Sequence, residues 1–538
     1  MGVVKKLLAI TAVALLFVSC TRNSSSGENS NGAAAPSHVL IVIVDACRAD
    51  YLRDVNLPNI QQLAQRGVSY THAMSGMVVS DTPGAHVTMG TGSFPARHGL
   101  PDFDFRSAQG AVISPFTFEA SHTSQVADLA AASGAPLLAS QVRQKLTGPI
   151  ITVSGTKHYA AVGFAAGQAD YVVFLNRYEL VSPGGRILCS PDDPCFVDSP
   201  PGKQLPADLL AQLKADPDIY HTADIDMDSD DTFAGAVAAR LVREYRPALL
   251  MVNLPATDSR GHWAGGPLHR DKMAYTLLNA DQQIGRILDA YREAGLLDQT
   301  LVIVAGDHGM VPNVHAVDPA AITALINQQG AQVVVPTDGN AYRPVLWIDP
   351  PEKAAVVANA IARANLDGIL GVYYRQTVAG ETRYVGAPGT TAAGDAQLDA
   401  VYAWLLATTA CVQGPDVVLV TRENTMIAPF DYTQTMATGH SELTWGAQHV
   451  PLIIAGPGVA AGVSRDTPAM LADFAPTIAA ALHLPFDQYE GLPLVDAFSD
   501  QADPADAARL AARTASLSAI QDRLIAQCEA DGSQWCQP

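Results

Sequence analysis

The chain has 538 residues, of which 48% are hydrophobic and 16% charged, so it can bury a large core and has the length of more than one structural unit. Its formal net charge of -20 at pH 7 opposes binding to polyanions, because nucleic-acid-binding proteins normally present a basic face. A DNA or RNA polymer is therefore not an expected substrate or partner.

The N-terminus has the pattern of an export signal and not that of a folded element. Two lysines precede an apolar stretch, Leu7–Val18, which is too short to span a bilayer. A small residue follows at the position expected before a cleavage site. We therefore predict a signal peptide over residues 1–19.

The letters FVSC at the end of this signal resemble the bacterial lipobox, in which the cysteine becomes the lipid-bearing first residue. Cys20 is accordingly the predicted lipidation site, and the polar residues 20–37 are predicted to be a flexible lipid tether. We expect a lipoprotein of the bacterial cell envelope that faces the periplasm and meets the membrane only through this lipid. Because Phe17 stands where a lipobox usually has Leu, secretion after cleavage near Ala35 is the alternative.

The remaining cysteines fit an oxidising compartment. Two pairs are close in sequence and could each close a small loop, namely Cys189 with Cys195 and Cys528 with Cys536. The other two, Cys47 and Cys411, are expected to be buried free thiols, and a disulfide between them is the alternative.

Strand and helix patterns alternate along the chain. His38–Asp45 is a continuous apolar run of strand length, and the segment after it has apolar residues at helical spacing, with Gly67 as a stop. Similar strand runs recur at Pro247–Pro255, Thr300–Asp307 and Val450–Gly458, and a long amphipathic stretch separates the first two of these. Apolar strands separated by helices indicate an α/β fold with a mainly parallel central sheet and helices on both faces.

Two long stretches interrupt this rhythm. Residues from about 101 to 245 are rich in turn signals and are predicted to be a cap insertion. Residues from about 313 to 435 combine strand-like and helical segments and are predicted to be a small α+β subdomain beside the site. We therefore assign residues 38–512 to one catalytic domain with these two insertions, and residues 513–538 to a C-terminal helical tail.

Several side chains that bind metals or attack phosphorus follow the strand runs or lie in glycine-rich turns. In open sheets of this kind, ligands bind beyond the carboxyl ends of the strands. Three carboxylates and three imidazoles are the ligands that two zinc-like ions need, and one such ion can ionise a hydroxyl set among them. The set predicts a two-metal hydrolase, and zinc is favoured over other divalent transition metals. It comprises Asp45, Thr82, Asp258, His262, Asp307, His308 and His440.

Five motifs in a fixed order resemble the alkaline phosphatase superfamily, and most closely its nucleotide pyrophosphatase and type I phosphodiesterase branch. The likeness covers most of the chain from Ser37 to about Phe498. It implies an alkaline phosphatase-like catalytic domain that hydrolyses phosphate esters. The motifs are IVIVDACRADYL, TPGAHVTMGTGSFPARHGL, TDSRGHWAGGP, VAGDHGM and GHSELTWGAQHVPLIIAGPG.

The resemblance also implies a role for each candidate residue. Thr82 would be the nucleophile that forms a covalent phosphothreonine intermediate and would lie beside one ion, whose other ligands are Asp45, Asp307 and His308. The second ion would be held by Asp258, His262 and His440. His449, which precedes a Val-Pro step, competes with His440 for the last of these roles.

The substrate is the least determined part of this prediction. Lys157, His158 and Asn340 are candidates to contact the phosphoryl group. In one periplasmic monoesterase group the matching segment reads K-x-R, but here Tyr159 stands at the Arg position, and Ala85 replaces an Asn that is common in diesterases. We expect small phosphodiesters or nucleotides as substrates. The alternatives are an alkaline phosphomonoesterase, a phosphonate hydrolase and, last, a non-catalytic metal-binding lipoprotein.

Overall fold

A computed structural model describes most of the chain after the N-terminal segment. The described residues are 35–114, 122–174, 207–215, 229–335, 343–429, 437–498 and 503–537. The predicted signal peptide, the lipidation site Cys20, the pair Cys189 and Cys195, and Asn340 all lie outside these ranges. Within them, no helix is both long enough and apolar enough to cross a membrane.

The strands and helices alternate along the first half of the chain, as the sequence predicts. The strands are β1 (His38–Val44), β2 (Gly67–Met74), β3 (Phe105–Arg106), β4 (Val112–Ile113), β5 (Ile150–Ser154), β6 (Tyr171–Val173), β7 (Leu249–Leu254), β8 (Thr300–Ala305), β9 (Val311–Pro312), β10 (His315–Val317), β11 (Gln332–Val335), β12 (Val345–Asp349), β13 (Ile369–Val378), β14 (Glu381–Gly386), β15 (Val417–Thr421), β16 (Thr425–Ile427), β17 (Thr438–Gly439), β18 (His449–Ala455), β19 (Val463–Arg465) and β20 (Ala469–Met470). The helices are α1 (Tyr51–Asp54), α2 (Pro58–Gln65), α3 (Thr82–Thr91), α4 (Pro95–His98), α5 (His122–Ser133), α6 (Leu138–Lys145), α7 (His158–Ala165), α8 (Ala207–Ala215), α9 (Ser229–Tyr245), α10 (Ala256–Ala264), α11 (Arg270–Glu293), α12 (Pro319–Gln328), α13 (Ala354–Ala364), α14 (Thr391–Gly394), α15 (Ala396–Ala407), α16 (Trp445–Gln448), α17 (Phe474–Ala481) and α18 (Pro504–Ala530).

The main sheet has the strand order β19-β2-β18-β8-β1-β7-β5-β6, and β20 also pairs with β2. Strand β1 lies at its centre and pairs in parallel with both β7 and β8, with Ile41 opposite Met251 on one side and Ile303 on the other. Its alternate side chains belong to two separate cores, with Ile41 and Ile43 in one and Leu40 and Val42 in the other. Burial on both faces explains why this strand is a continuous apolar run.

Helices cover both faces of this sheet. On one face, α2, α9 and α11 contribute Ile60, Phe233 and Ile284 to the core. On the other face, α3, α7 and α17 contribute residues such as Phe164 and Ile478. The sheet with two helical layers matches the predicted α/β architecture.

The direction of β18 differs from the prediction. The run from Val450 to Gly458 was expected to form a further unit of the parallel sheet, but β18 pairs antiparallel with both β8 and β2. A central antiparallel strand is buried on both faces, as a parallel one is, so its apolar pattern does not reveal its direction. The start of β18 therefore lies at the same sheet edge as the carboxyl ends of β1, β7 and β8.

The stretch from 101 to 245 is not only an insertion, and this corrects the sequence-based description. Strand β5 pairs in parallel with β7, and β6 pairs in parallel with β5, so both belong to the main sheet. Helix α7 between them packs against α3. The strands are only five and three residues long and lie in turn-rich sequence, so β5 was not predicted and the strand-like run that begins with β6 was assigned to the insertion.

A second sheet with the strand order β11-β12-β15-β13-β14 forms within the predicted α+β subdomain, and its strands pair antiparallel. Helices α12 and α13 pack on one face, where Ile322 and Ile361 are buried. Helix α15 and the C-terminal helix α18 pack on the other, through residues such as Leu405 and Leu524.

Helix α18 begins at Pro504, upstream of the predicted start of the C-terminal tail at residue 513. Asp503 caps its first turn, and Leu510 is part of the main core. The predicted disulfide between Cys528 and Cys536 is present at the end of this helix. Cys47 and Cys411 are buried free thiols, as expected.

Candidate metal centre and substrate cavity

The candidate site lies at one edge of the main sheet, where the carboxyl ends of β1, β5, β7 and β8 meet the start of β18. Asp45 directly follows β1, Asp307 follows β8 after one glycine, and Asp258 lies in α10 just beyond β7. Thr82 is the first residue of α3. His440 lies in the loop before α16 and β18. The topology thus brings together residues that are almost four hundred positions apart in sequence.

Asp45, Asp307 and His308 form one group that could hold a metal ion, with ligand atoms within 4.8 Å of one another. All three residues are fully buried. The turn after β1 brings the two loops together, because the backbone N–H of Ala46 donates to Asp307 Oδ1 at 3.0 Å. Ala46 has a φ of 55°, a left-handed conformation that is uncommon for a residue with a side chain and is often found at functional turns.

Asp258, His308 and His440 form a second such group. The Nε2 atom of His440 lies 3.4 Å from Asp258 Oδ1, and the Nε2 atom of His262, one helical turn after Asp258, lies 3.3 Å from the same oxygen. His262 therefore adjoins this group through Asp258. The His308 ring, stacked on His440 with centroids 4.0 Å apart, lies between the two groups.

The three histidines are oriented in the same way. The Nδ1 atoms of His262, His308 and His440 lie 2.9, 2.9 and 3.1 Å from the backbone carbonyls of Thr438, Gly309 and Ser80 respectively. An Nδ1–H that donates to a carbonyl leaves the Nε2 lone pair available, which is the arrangement that metal-binding histidines usually have. Each of the three Nε2 atoms points toward the carboxylates.

Two carboxylate oxygens in this centre, Asp258 Oδ1 and Asp307 Oδ2, are buried and make no hydrogen bond to any described residue. A buried carboxylate oxygen without a hydrogen bond is costly unless a cation or another donor satisfies it. These oxygens and the three Nε2 atoms form a mixed oxygen and nitrogen donor set, so the residues present fit a pair of divalent metal ions.

Lys157 lies between the two groups. Its Nζ atom contacts Asp45 Oδ1 and Asp258 Oδ2, both at 2.7 Å, and donates to Thr82 Oγ1 at 3.0 Å. The side chain is buried, and it follows β5 at the same sheet edge as the other residues. A cation is thus held beside the hydroxyl and one carboxylate of each group.

The two aspartates that contact Lys157 differ in acidity. Burial and the neighbouring Asp307 raise the pKa of Asp45 to about 6. Burial would also raise the pKa of Asp258, but Lys157 and then His262 hold it well below its usual value. Burial and the adjacent His308 hold the pKa of His440 well below its usual value, which favours the neutral imidazole that a metal requires.

Thr82 presents its hydroxyl to both groups. Its Oγ1 atom lies 3.4 Å from each carboxylate oxygen of Asp45 and 3.4 Å from His308 Nε2. The ten-residue helix α3 starts at Thr82, and its positive end favours negative charge there. Pro83 has no N–H, and the N–H of Gly84 already donates to Asp81, so other groups would have to bind phosphoryl oxygens.

A cavity of about 620 Å³ opens onto this centre. Its lining includes residues of the metal centre, namely Thr82, Lys157, Asp258, His262 and His440, and also Arg343, Gly439, Ser441 and Glu442. The other lining residues are mainly apolar or aromatic and come from both the main sheet region and the second sheet region, namely Phe103, Tyr159, Pro344, Met426, Ile427, Ala428 and Pro429. The volume is that of a small-molecule site.

The sequence model of one protein family, described as type I phosphodiesterase / nucleotide pyrophosphatase, matches residues 39–428. The chain belongs to this family. The predicted enzyme class, a hydrolase that acts on phosphate esters, agrees with this family, and the predicted resemblance is confirmed.

A relative of known identity also resembles part of this chain. Bis(5'-adenosyl)-triphosphatase ENPP4 from Bos taurus is 30% identical over 95 residues, which are 18% of this chain and 19% of that protein. The match therefore spans about a fifth of the relative's length.

Solved structures confirm the predicted fold class. The alkaline phosphatase PafA superposes with a TM-score of 0.64 at 15% identity, covering 87% of this chain and 100% of that chain. Murine ectonucleotide pyrophosphatase/phosphodiesterase 5 (ENPP5) gives 0.57 at 16%, covering 86% and 100%. An inactive variant of the same murine protein, in complex with AMP, gives 0.55 at 16% over the same shares.

All seven metal-binding and nucleophilic candidates come together in the family's fold, and the predicted substrate contact Lys157 lines the cavity beside them. The candidates His449 and His158, and the position Ala85, do not line it. His449 lies away from the site, with Nε2 2.8 Å from the Thr71 carbonyl and its ring stacked on Trp445, so His440 is the histidine that reaches the centre. His158 is buried against Phe174. Ala85 is buried in the main core, on a helix that packs against α7.

The sequence-based prediction missed Asn253. Its Nδ2 atom donates to Asp45 Oδ2 at 3.1 Å from within β7, so it orients that carboxylate. A polar residue inside an otherwise apolar strand was the available signal. Also missed was Arg343, which lines the cavity and binds Asp102 and Asp104 at 2.7 and 3.2 Å. No local pattern marks this arginine.

Proposed function

We propose that this protein is a metal-dependent phosphodiesterase in which Thr82 attacks the phosphorus of a small diester or nucleotide. The observation that carries the proposal is the position of the Thr82 hydroxyl. It lies within 3.4 Å of Asp45 and His308 and 3.0 Å from the Lys157 ammonium, at the start of a helix. A hydroxyl needs such activation because it is a weak nucleophile at neutral pH.

The donor set is suited to two zinc ions. Asp45, Asp307 and His308 would hold one, and Asp258, His262 and His440 would hold the other. When bound, such ions would supply Lewis acidity at the phosphoryl oxygens and lower the pKa of the hydroxyl. Mixed carboxylate and imidazole ligands favour zinc over the hard cations magnesium and calcium.

The protein's own groups then act on the substrate in a defined order. Lys157 donates a hydrogen bond to Thr82 Oγ1 and stabilises its deprotonated form. The hydroxyl proton passes to solvent, and the oxygen forms a bond to phosphorus while the opposite bond, from phosphorus to the leaving ester oxygen, breaks. The leaving oxygen takes a proton from solvent and departs as an alcohol. The positive end of α3 favours the negative charge that gathers at this position.

The resulting phosphothreonine is hydrolysed in a second displacement. A water molecule attacks phosphorus, the bond to Thr82 Oγ1 breaks, and the hydroxyl is regenerated. For each diester, one water molecule is consumed, and one alcohol and one phosphate monoester are released.

Apart from the proposed metal ions, the side-chain cations of the cavity favour diesters over monoesters. Among the described lining residues the permanent cations are Lys157 and Arg343, and Arg343 is already bound by Asp102 and Asp104. Tyr159, two residues after Lys157, is neutral where an arginine could bind a dianion with two hydrogen bonds. A monoanionic diester therefore fits this charge better than a dianionic monoester.

Purified protein assayed with bis-p-nitrophenyl phosphate and with p-nitrophenyl phosphate would test the proposal. We expect metal-dependent turnover with a preference for the diester, and a loss of roughly 10³-fold or more in kcat for Thr82→Ala. Thr91→Ala is the matched control, because it removes another buried hydroxyl from α3 whose partner is the Val87 carbonyl. A Thr82→Ala protein as active as the parent, or an inactive parent with full metal content, would contradict the proposal.

We also propose that the protein acts in the cell envelope, held by a lipid on Cys20. The support is the order of basic, apolar and small residues before this cysteine. Fractionation of cells that produce the parent should place it with the membranes. A Cys20→Ser protein found in the same membrane fraction would contradict lipid anchoring.

A further inference from the structure

The segment 75–81 joins β2 to Thr82 at the start of α3. It contains neither helix nor strand, yet each of its seven residues is buried. Buried backbone groups outside helices and strands need hydrogen-bond partners from other parts of the protein. The position of the Thr82 hydroxyl therefore depends on the groups that bind this segment.

Gln448, the last residue of α16, supplies several of these partners. Its backbone carbonyl accepts from the N–H of Ser75 at 2.9 Å. Its side-chain Oε1 accepts from the Ser75 hydroxyl at 2.6 Å and from the N–H of Gly76 at 3.1 Å. Its Nε2 donates to the Met77 carbonyl at 2.8 Å. The residue is fully buried, so water does not compete for these hydrogen bonds.

The same amide also binds the loop that carries His440. Gln448 Nε2 donates to the carbonyl of Glu442, two residues after that histidine, at 3.3 Å. His440 in turn contacts the other segment, because its Nδ1 lies 3.1 Å from the carbonyl of Ser80, two residues before Thr82. One glutamine side chain thus connects the segment that ends at the nucleophile to the loop that carries a metal-binding candidate.

The four hydrogen bonds use the full capacity of the amide. The oxygen accepts two of them and the nitrogen donates two. The backbone N–H of Gly76 can only donate and the carbonyl of Met77 can only accept, so the orientation of the amide is determined by its partners. Strand β18, which starts directly after Gln448, pairs with both β8 and β2 and holds this residue in place. Neither a carboxylate nor a thioether of similar length can make the same four bonds.

We propose that Gln448 is a positioning residue for the phosphoryl-transfer reaction, which holds the Thr82 hydroxyl and the His440 imidazole at a fixed separation. It acts through backbone contacts and does not line the cavity. The proposal rests on the proposed function, since it takes both groups to act on one phosphoryl group. A displacement of about 1 Å, even when caused by a residue far from the reacting atoms, can reduce the rate about 100-fold.

Gln448→Met tests the proposal, because methionine has a similar length and makes none of the four side-chain bonds. We expect kcat for bis-p-nitrophenyl phosphate to fall about 10- to 100-fold while KM changes less than about threefold. The zinc dissociation constant of at least one site, measured by titration calorimetry, should rise about tenfold or more. A folded variant with the kcat and zinc affinity of the parent would overturn the proposal. If Gln448→Met does not fold, Gln448→Glu replaces it, since a carboxylate keeps both acceptor contacts and loses both donor contacts.

Gln521→Met is the matched control. Gln521 on α18 is also fully buried, and its Nε2 donates to the backbone carbonyl of His72 at 3.0 Å, within β2 and away from the metal centre. We expect this variant to have a lower urea midpoint but the kcat and zinc affinity of the parent. If both variants lose kcat to the same extent, the role of Gln448 is only structural and the proposal is wrong.

Hydrogen exchange of the zinc-loaded proteins measures the connection itself. Peptides that cover residues 75–82 should exchange at least roughly fivefold faster in Gln448→Met than in the parent or in Gln521→Met, because the N–H of Gly76 loses its acceptor. Equal exchange in all three proteins would contradict the proposed connection.

These measurements separate the positioning role from the proposed function. If the parent binds zinc but hydrolyses neither ester, the catalytic proposal fails, and the zinc affinity and exchange of Gln448→Met decide the positioning role. If the parent hydrolyses the diester and Gln448→Met retains its kcat, the catalytic proposal stands and the positioning role is overturned. A parent that neither binds zinc nor turns over the diester would contradict both.

Discussion

Replacing Tyr159 with arginine should convert part of the diester preference into monoester activity. Position 159 lines the same cavity as Thr82 and Lys157 and lies two residues after that lysine, at the start of α7. An arginine there can direct its guanidinium toward the phosphoryl group, next to the Lys157 ammonium. The change also removes the ring that packs against Phe103.

The size of the gain follows from the bonds that the guanidinium can make. A hydrogen bond to a charged group contributes about 1.5–3 kcal/mol, and each 1.4 kcal/mol corresponds to about a factor of ten. We therefore expect kcat/KM for p-nitrophenyl phosphate to rise roughly 10- to 150-fold. The diester has one fewer charged oxygen, so its kcat/KM should rise less or fall.

Steady-state kinetics with p-nitrophenyl phosphate and bis-p-nitrophenyl phosphate measure both effects on the same protein preparation. Tyr159→Lys is the control, because it adds one charge without the planar fork that binds two oxygens, and it should give a smaller gain. The reasoning is refuted if Tyr159→Arg folds and binds metal like the parent but leaves the ratio of monoester to diester activity unchanged.

Three further outcomes are expected. Dialysis against a chelator should abolish turnover of both esters and lower the melting temperature, and added zinc should restore both. The reason is that the buried carboxylates Asp258 and Asp307 would lose the cations proposed to satisfy them. Activity that survives at a metal content near zero would contradict this prediction. Burial lowers the pKa of His98 from 6.5 to about 3. At pH values between these two, the unfolded chain therefore binds a proton at this histidine that the folded protein does not bind. As pH falls through this window, the free energy of unfolding should decrease by up to about 1.4 kcal/mol per pH unit. His98→Asn should flatten this dependence in urea unfolding series, and a slope equal to the parent's would exclude a role for this histidine. Cys528→Ser should lower the free energy of unfolding by about 2 kcal/mol, because the disulfide closes a loop with a sequence separation of 8. The same substitution should leave kcat unchanged. Equal urea midpoints for the variant and the parent would be inconsistent with this prediction.

Several residues of the metal centre could be recognised as candidates in the sequence because they stand directly after predicted strands. Asp45 and Asp307 directly succeed apolar runs that only a buried strand explains, and the ends of parallel strands share an edge. Asp258 and His262 lie four residues apart at the start of a helix, where both face the same side. Local pattern and topology made these residues candidates, and the order of the family motifs assigned them to one site.

The cavity wall could not be predicted in the same way. Arg343 and Phe103 meet through an ion pair with Asp102 and Asp104 across almost two hundred and forty residues, and no periodicity marks such a contact. Strand β5 was missed for a related reason, since a short strand in turn-rich sequence lacks the length that distinguishes a strand from a loop. The run that begins with β6 is strand-like in sequence, but it was assigned to the insertion and not to the main sheet. The lining of the cavity therefore depends on long-range packing that the sequence pattern does not express.

The reversed direction of β18 is the feature of the fold on which the second metal group depends. Because β18 runs antiparallel to β8, its first residue lies at the edge where β8 ends, and the loop before it carries His440 to within 3.4 Å of Asp258. A parallel strand of the same seven residues would start at the opposite edge, about 20 Å away, since each residue advances about 3.3 Å. The same apolar run in the predicted direction would thus leave the centre without its last histidine. His440 could be assigned from its sequence motif, but its reach to the centre is explained only by the topology.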